Sequence, residues 1–321
     1  MAVTRFGLQI PRFTYPGVPD AELFERIAAI ATTAEESGGF DSVWVMDHFY
    51  QLPGLGTEDE PMFEAYSLLS ALAARTSRVR LGTMVTGVTY RNPALLAKTV
   101  TTLDVISAGR AILGIGAAWN ESEHRGYGFE FPSTRERMDR LEEALRICRA
   151  MFTEDTPSFS GKYYQINEAF NVPRPVTPGG PPVMIGGSGE KRTLRLVAEY
   201  GDASNIFGDL ATVRHKLDVL ERHCADVGRD PAEITKTKLC TMVIAPTAAE
   251  ADRKVEQIRA ATGFPEEQVR AMLVAGSPDQ VLEQVQAHVD AGLDGLLFNM
   301  MDAHEVDNVR LAAETLARFS F

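Results

Sequence analysis

An acid and an imidazole stand side by side where an apolar run ends. Residues 42–50 read SVWVMDHFY, so Asp47 and His48 directly follow a β-branched, strand-forming stretch. Histidine has the unperturbed pKa nearest neutrality, about 6.5, which suits it to take or give a proton in a reaction. Asp47 could orient such a group or cap the next turn, and His48 could equally be a satisfied structural residue; position alone leaves both readings open. The five other histidines are less well placed. His215, His223 and His288 fall on charged helical patterns, His304 opens the last helix, and His124 lies in a loop.

A second chemical signal is the turn in PPVMIGGSGEKRTLRL. Gly186, Gly187, Ser188 and Gly189 separate a strand pattern from a helical one, so backbone N–H groups and a helix dipole converge where a phosphate could rest. Lys191 and Arg192 fall in the expected first helical turn, unfavourable for the dipole but useful to an anion. Tight packing alone also selects glycine at such turns. Two further segments end in room for a ligand. RLGTMVTGVTYRNP carries glycines on either side of a possible contact, and AILGIGAAWNESEHRGYGFEF places Gly114 and Gly116 ahead of Trp119 and Asn120. The Gly-x-Gly lacks the third glycine and acidic partner of a dinucleotide fingerprint, so a Rossmann reading is rejected. With no HxH, HExxH or GxSxG pattern, neither a metal site nor serine hydrolysis is expected.

These residues need elements to hold them. Strand-length apolar runs at about 4–10, 41–46, 79–85, 110–115, 182–186, 203–207, 238–244 and 294–299 alternate with helix-period segments. That alternation predicts βα units around a parallel sheet, and eight strands close a (β/α)8 TIM barrel. In such a barrel the active site is built at the C-terminal ends of the strands, which is where Asp47, His48 and the glycine turn fall. Leu23, Ile27, Ile30 and Ala34 share one helical face; Asn92-Pro93 offers an N-cap and a first-turn proline; Ser133 and Glu136 form a capping-box pattern. The Pro- and Gly-rich stretch 153–181 reads as an insertion over the C-terminal face of the barrel, with a short hairpin around Gly161. The whole chain, 1–321, is expected to form one domain.

Composition narrows the function classes. A net charge of −12 over 321 residues argues against non-specific binding to nucleic acid or an anionic membrane. The apolar runs are too short to span a bilayer and the start of the chain does not read as a signal peptide, so a cytoplasmic protein is expected. Three scattered cysteines argue against a disulfide scaffold.

With these residues in place, the chain resembles the luciferase-like monooxygenase superfamily, most closely its branch that uses the deazaflavin coenzyme F420. The resemblance is carried in order by GFDSVWVMDHF, by the block from LGTMVTGVTYRNP to ERMDRLEEALRI, and by PPVMIGGSGEKRTLRLVAEYGDASN. It implies a barrel holding a flavin-like ring across the strand ends. His48 would be the acid/base near the reactive ring carbon, and Asp47 would meet the ring edge. Thr83, Met84, Val85, Gly116, Ala117 and Asn120 would contact the coenzyme, with a non-prolyl cis peptide at Met84–Val85. Gly186, Gly187, Ser188 and Gly189 would take the phosphate. Tyr90, Trp119, His124, Tyr127 and Phe207 are the candidate substrate wall.

The chain departs from the pattern at three places. Sugar-phosphate and alcohol dehydrogenases of the branch carry a Trp shortly after the Asp-His pair and a Glu after the fourth strand; the aligned residues are Leu52 and Trp119. The lysine of the sugar-phosphate enzymes after the sixth strand gives way to the region of Gly208 and Asp209. The expected reaction is therefore hydride transfer from the reduced deazaflavin to an unsaturated carbonyl or imine of a small organic substrate. An FMN-dependent monooxygenase on the same barrel is the alternative, and a coenzyme-sequestering barrel is a third possibility. The resemblance also suggests a homodimer.

Overall fold

The computed structural model describes residues 2–262, 265–267, 269 and 273–320. Eight parallel strands close on themselves: β1 (Phe6–Ile10), β2 (Ser42–Val45), β3 (Arg80–Thr83), β4 (Ala111–Gly116), β5 (Val183–Gly186), β6 (Ala203–Ile206), β7 (Thr235–Ile244) and β8 (Gly295–Asn299). Each pairs with the next in chain order, and β8 returns to β1 with Gln9 opposite Asn299. This is the (β/α)8 barrel that the alternating pattern predicts. Helices α1 (Leu23–Glu36), α2 (Ala65–Ala73), α3 (Pro93–Ile106), α4 (Glu121–Tyr127), α5 (Thr134–Thr153) and α6 (Thr193–Tyr200) follow the first five strands, and among the described residues four more long helices continue the outer layer. No helix among the described residues is long and apolar enough to cross a membrane.

Two apolar layers result. Strand positions that point outward meet the helices, as Leu8, Ile10, Val43, Val45 and Leu113 do with Ile27, Ile30, Leu69 and Leu96. Positions that point inward fill the barrel with Trp44, Ile112, Met184, Ala203 and Leu297. Trp44 is the largest plug, and its neighbours are small of necessity. A Cβ on Gly7 would lie 2.5 Å from the indole nitrogen, and one on Gly82 would lie 2.6 Å from the ring. The indole N–H donates to Ser42 Oγ at 2.8 Å. The end of β2, and with it Asp47 and His48, is thus seated on a packed floor.

Several expectations shift in detail. β7 starts at Thr235, ahead of the apolar run at 238. Its first residues, TKTK, alternate buried threonines with half-buried lysines, a period-2 pattern in polar residues that an apolar criterion misses. A further strand, Leu273–Gly276, pairs with the far end of β7, and Thr86–Gly87 pairs with the end of β4; neither is among the strands expected from the sequence. The stretch 153–181 does contain a hairpin, Phe159–Ser160 with Gln165–Ile166. It does not cover the C-terminal face. Asn171 donates to Thr101 and Met151, Asp104 accepts from the Val176 and Thr177 amides, and Glu143 accepts from the Lys162, Tyr163 and Tyr164 amides. These bonds lay it along α3 and α5, as befits a connection leaving a helix for the next strand. The cleft at the C-terminal face is lined instead by residues that follow β2 and β4, among them Asp47, His48, Ala117, Ala118 and Trp119.

Candidate active site

A cleft of about 300 Å³ opens at the C-terminal ends of the strands. His48 lines one part of it and Gly186 and Gly187 another, so the imidazole after β2 and the glycine turn after β5 share one cavity.

The imidazole is held by a residue that sequence reasoning missed. His48 Nδ1 lies 2.8 Å from Oε2 of Glu123, which is fully buried on α4. The Tyr90 hydroxyl donates to the same oxygen at 2.8 Å, and the amides of Phe49 and Tyr50 donate to Oε1 at 2.6 and 3.0 Å. Four donors occupy the four lone-pair sites of the carboxylate. Burial alone would raise its pKa, but the hydrogen bond and charge of His48, the Tyr50 amide and the Tyr90 hydroxyl together hold Glu123 below the usual carboxylate range. Such a depressed group stabilises the fold fully above the ordinary Glu pKa of about 4.3, and the contribution is lost as pH falls through the lower folded value. The Tm of Glu123→Gln is therefore expected to fall less steeply than that of wild type below about pH 4.3. Parallel acid limbs in thermal unfolding would show that the carboxylate contributes nothing.

Asp47, 2 % exposed, also lines the cleft. Both its oxygens accept from the Arg91 guanidinium, at 2.7 and 2.9 Å, and the Gly87 amide donates at 3.2 Å. Burial pushes the Asp47 carboxyl above its ordinary value, against the charge and hydrogen bonds of Arg91. Arg91 also bonds Glu64, the N-cap of α2, and lies over the Tyr66 ring at 4.9 Å.

The strand-end glycines serve the backbone first. The Met84–Val85 peptide is cis. A Cβ on Gly116 would meet Val85 Cγ2 at 2.9 Å, one on Gly186 would meet Val85 Cγ1 at 3.0 Å, and one on Gly114 would collide with the Thr83 carbonyl at 1.8 Å. The space that the sequence offers a flat ligand is thus partly filled by Val85, which with Met84, Ala117 and Ala118 presents apolar surface to the cleft. Ala118 adopts the left-handed φ of 59°, uncommon for a residue with a side chain. Thr83 is buried in its strand, bonded to the Gly114 carbonyl and to Thr86, and does not line the cleft.

At the β5 turn, Gly187 has φ 127°, a conformation that favours glycine, and its amide donates to the Asn205 carbonyl. Ser188 Oγ accepts from the Phe207 amide at 2.8 Å, linking the β5 and β6 turns. The Ser188 and Gly189 amides donate to no acceptor among the described residues. Thr193, which begins α6, lines the cleft. Lys191 and Arg192 precede the helix rather than sit in its first turn, and Arg192 is turned to Asp139 at 2.7 Å.

The wall residues divide. Tyr90, Trp119 and Phe207 line the cleft; Trp119 is 60 % exposed and Phe207 49 %. The Trp119 ring meets the His48 ring edge-on at 5.6 Å. His124 is fully buried. Its Nδ1 donates to the Asn120 carbonyl and its Nε2 accepts from Thr89, each at 2.6 Å, so it braces the β3 turn. Tyr127 stacks on Phe49 at 4.5 Å, outside the cleft. The Asn120 side chain accepts from the Ser122 amide and caps α4.

The description of a luciferase-like monooxygenase matches residues 4–295 of this barrel. The chain belongs to the luciferase-like monooxygenase family. Among its relatives in that family, the F420-dependent glucose-6-phosphate dehydrogenase of Kineococcus radiotolerans is 34 % identical over 301 residues, 85 % of this chain and 86 % of its own. That of Amycolatopsis mediterranei is 32 % identical over 295 residues, 84 % and 86 % of the two chains. Among solved structures, an F420-dependent secondary alcohol dehydrogenase in complex with an F420–acetone adduct superposes with a TM-score of 0.79, covering 97 % of this chain and 99 % of that one at 21 % identity. At that identity the likeness speaks for the luciferase-like fold.

Proposed function

We propose that this luciferase-like protein reduces an unsaturated carbonyl or imine of a small organic molecule. It is a coenzyme F420-dependent oxidoreductase, in keeping with the names of its curated relatives. The observation that carries the reading is the shared cleft, lined both by His48 and by Gly186 and Gly187 of the β5 turn. The residues present suit the coenzyme. Met84, Val85, Ala117 and Ala118 offer an apolar bed for a flat ring, and the unbonded Ser188 and Gly189 amides, in the turn between the cleft-lining Gly187 and the start of α6 at Thr193, suit a phosphate.

When bound, the deazaflavin supplies two-electron hydride chemistry. The chain supplies orientation and proton management. His48 Nε2, free of partners among the described residues, would exchange the proton that balances charge on the substrate. Asp47, fixed by Arg91, would meet the polar ring edge. Tyr90, Trp119 and Phe207 would shape the substrate space and exclude water from it. With Leu239 those rings make a wall better suited to an apolar carbonyl compound than to a sugar phosphate.

Absorbance titration of the apoprotein tests the cofactor. Saturable binding of F420 and no response to FMN is the expected result, and the reverse would overturn the reading. Oxidation of reduced F420 by a panel of cyclic enones and imines, compared with glucose 6-phosphate as hydride donor to oxidised F420, then tests the substrate class.

A further inference from the structure

We infer that Glu123 is a positioning residue for His48: its buried carboxylate fixes the imidazole with a proton on Nδ1 and leaves Nε2 as the atom that exchanges protons in the cleft. The inference deepens the proposed function and rests on His48 being the proton-exchanging group.

The geometry allows little else. Oε2 lies 2.8 Å from Nδ1 and accepts from the Tyr90 hydroxyl, while Oε1 accepts from two backbone amides. A carboxylate with every lone pair engaged can only accept, so Nδ1 must donate. Tyr90 is itself buried beside the Glu123 charge, which favours its neutral, proton-donating form. Asp47, the preceding residue, is paired with Arg91, and the ring facing His48 from the β4 turn is the uncharged Trp119. Glu123 is thus the anion in direct contact with the imidazole. It holds the ring plane and keeps Nε2 turned away from the carboxylate.

Glu123 also braces the β2 turn through the Phe49 and Tyr50 amides, so truncation would confuse a positioning role with a structural one. Glu123→Gln separates them. Its amide oxygen can still accept from both backbone amides, but the NH2 group it presents to Nδ1 requires a lone pair there, which moves the proton to Nε2. ¹⁵N NMR of labelled imidazole, with the His48 signal assigned by its absence from His48→Ala, reads the tautomer without any coenzyme. Neutral imidazole in water prefers the proton on Nε2, so Nδ1–H at His48 in the wild type is the diagnostic result, and Nε2–H there overturns the inference even if no variant folds.

In Glu123→Gln the tautomer should invert. Turnover with reduced F420 and an enone should fall roughly ten- to a hundredfold, short of the whole general acid–base contribution of about 10²–10⁴, with the coenzyme Kd unchanged. Glu123→Asp, which restores the charge, should recover part of the rate and the Nδ1–H tautomer. An unchanged rate in a variant with an inverted tautomer would also overturn the inference. Wild-type turnover by His48→Ala would instead remove the role of His48, a separate failure that leaves the NMR result standing.

Discussion

Replacing His48 by alanine is expected to lower turnover of an enone by about 10²–10⁴-fold, the range that a positioned general acid or base contributes. Coenzyme binding should change little, because the β5 turn and the Val85 surface are built without His48. Glu123 keeps three of its four donors in the variant, from Phe49, Tyr50 and Tyr90, so the β2 turn retains its anchor. The two readings left open by sequence position thus predict different losses. A merely structural histidine would cost the fold about the worth of one hydrogen bond to a charged group, roughly 1.5–3 kcal/mol, and leave the rate per folded molecule alone. A proton-exchanging histidine would cost the rate and remove the corresponding limb from the pH profile of kcat. Steady-state kinetics, coenzyme titration and thermal unfolding on one preparation decide between them. Near wild-type kcat with a lowered Tm would place His48 among the structural residues.

The comparison of sequence with structure has a physical pattern. The barrel was legible because buried strands and amphipathic helices each impose a period on apolar residues. The Asn92 and Ser133 caps were legible for a similar reason: Asn92 accepts from the Ala94 amide and Ser133 from the Glu136 amide, both local contacts. Polar residues doing buried work were not. Glu123 sits in NESEHRGYG, a polar run that reads as a loop and instead forms α4. Only the packing of α4 against the β2 turn turns it inward, while its neighbour His124, the more conspicuous residue in the sequence, turns out to brace Thr89. Arg91 lies between an aromatic and an N-cap and looks like an ordinary loop cation until β2 and β3 are laid side by side. Gly114 and Gly116 were correctly suspect, but they make room for the Thr83 carbonyl and Val85 before they make room for any ligand. In each case the missing information was a contact between residues distant in sequence, which period and spacing do not encode.

Arg91→Ala is expected to produce the largest loss of stability, about 3–5 kcal/mol, the cost of leaving a buried charge without its partner. At roughly 2–4 °C per kcal/mol for a large domain, this corresponds to a fall in Tm on the order of 10 °C. The pair is bidentate, Asp47 is almost wholly buried, and the Gly87 amide cannot replace a cation. Arg91→Lys should be intermediate, since an ammonium restores charge without the two-pronged geometry. Adding Asp47→Asn to Arg91→Ala should recover part of the loss, because the destabilising species is the orphaned carboxylate and not the missing guanidinium; a double-mutant cycle measures that coupling. The pH dependence follows the same logic. Without Arg91, burial acts on Asp47 with less opposition and raises its folded-state pKa further above the unfolded value of about 3.9. A group raised in this way is tolerated by the fold when protonated and penalises it once pH climbs through the folded pKa. The deficit of Arg91→Ala relative to wild type should therefore be greatest at neutral pH and shrink as the solution is acidified. A deficit that stays constant with pH and is not reduced by Asp47→Asn would assign the loss to the packing of Arg91 over Tyr66 instead.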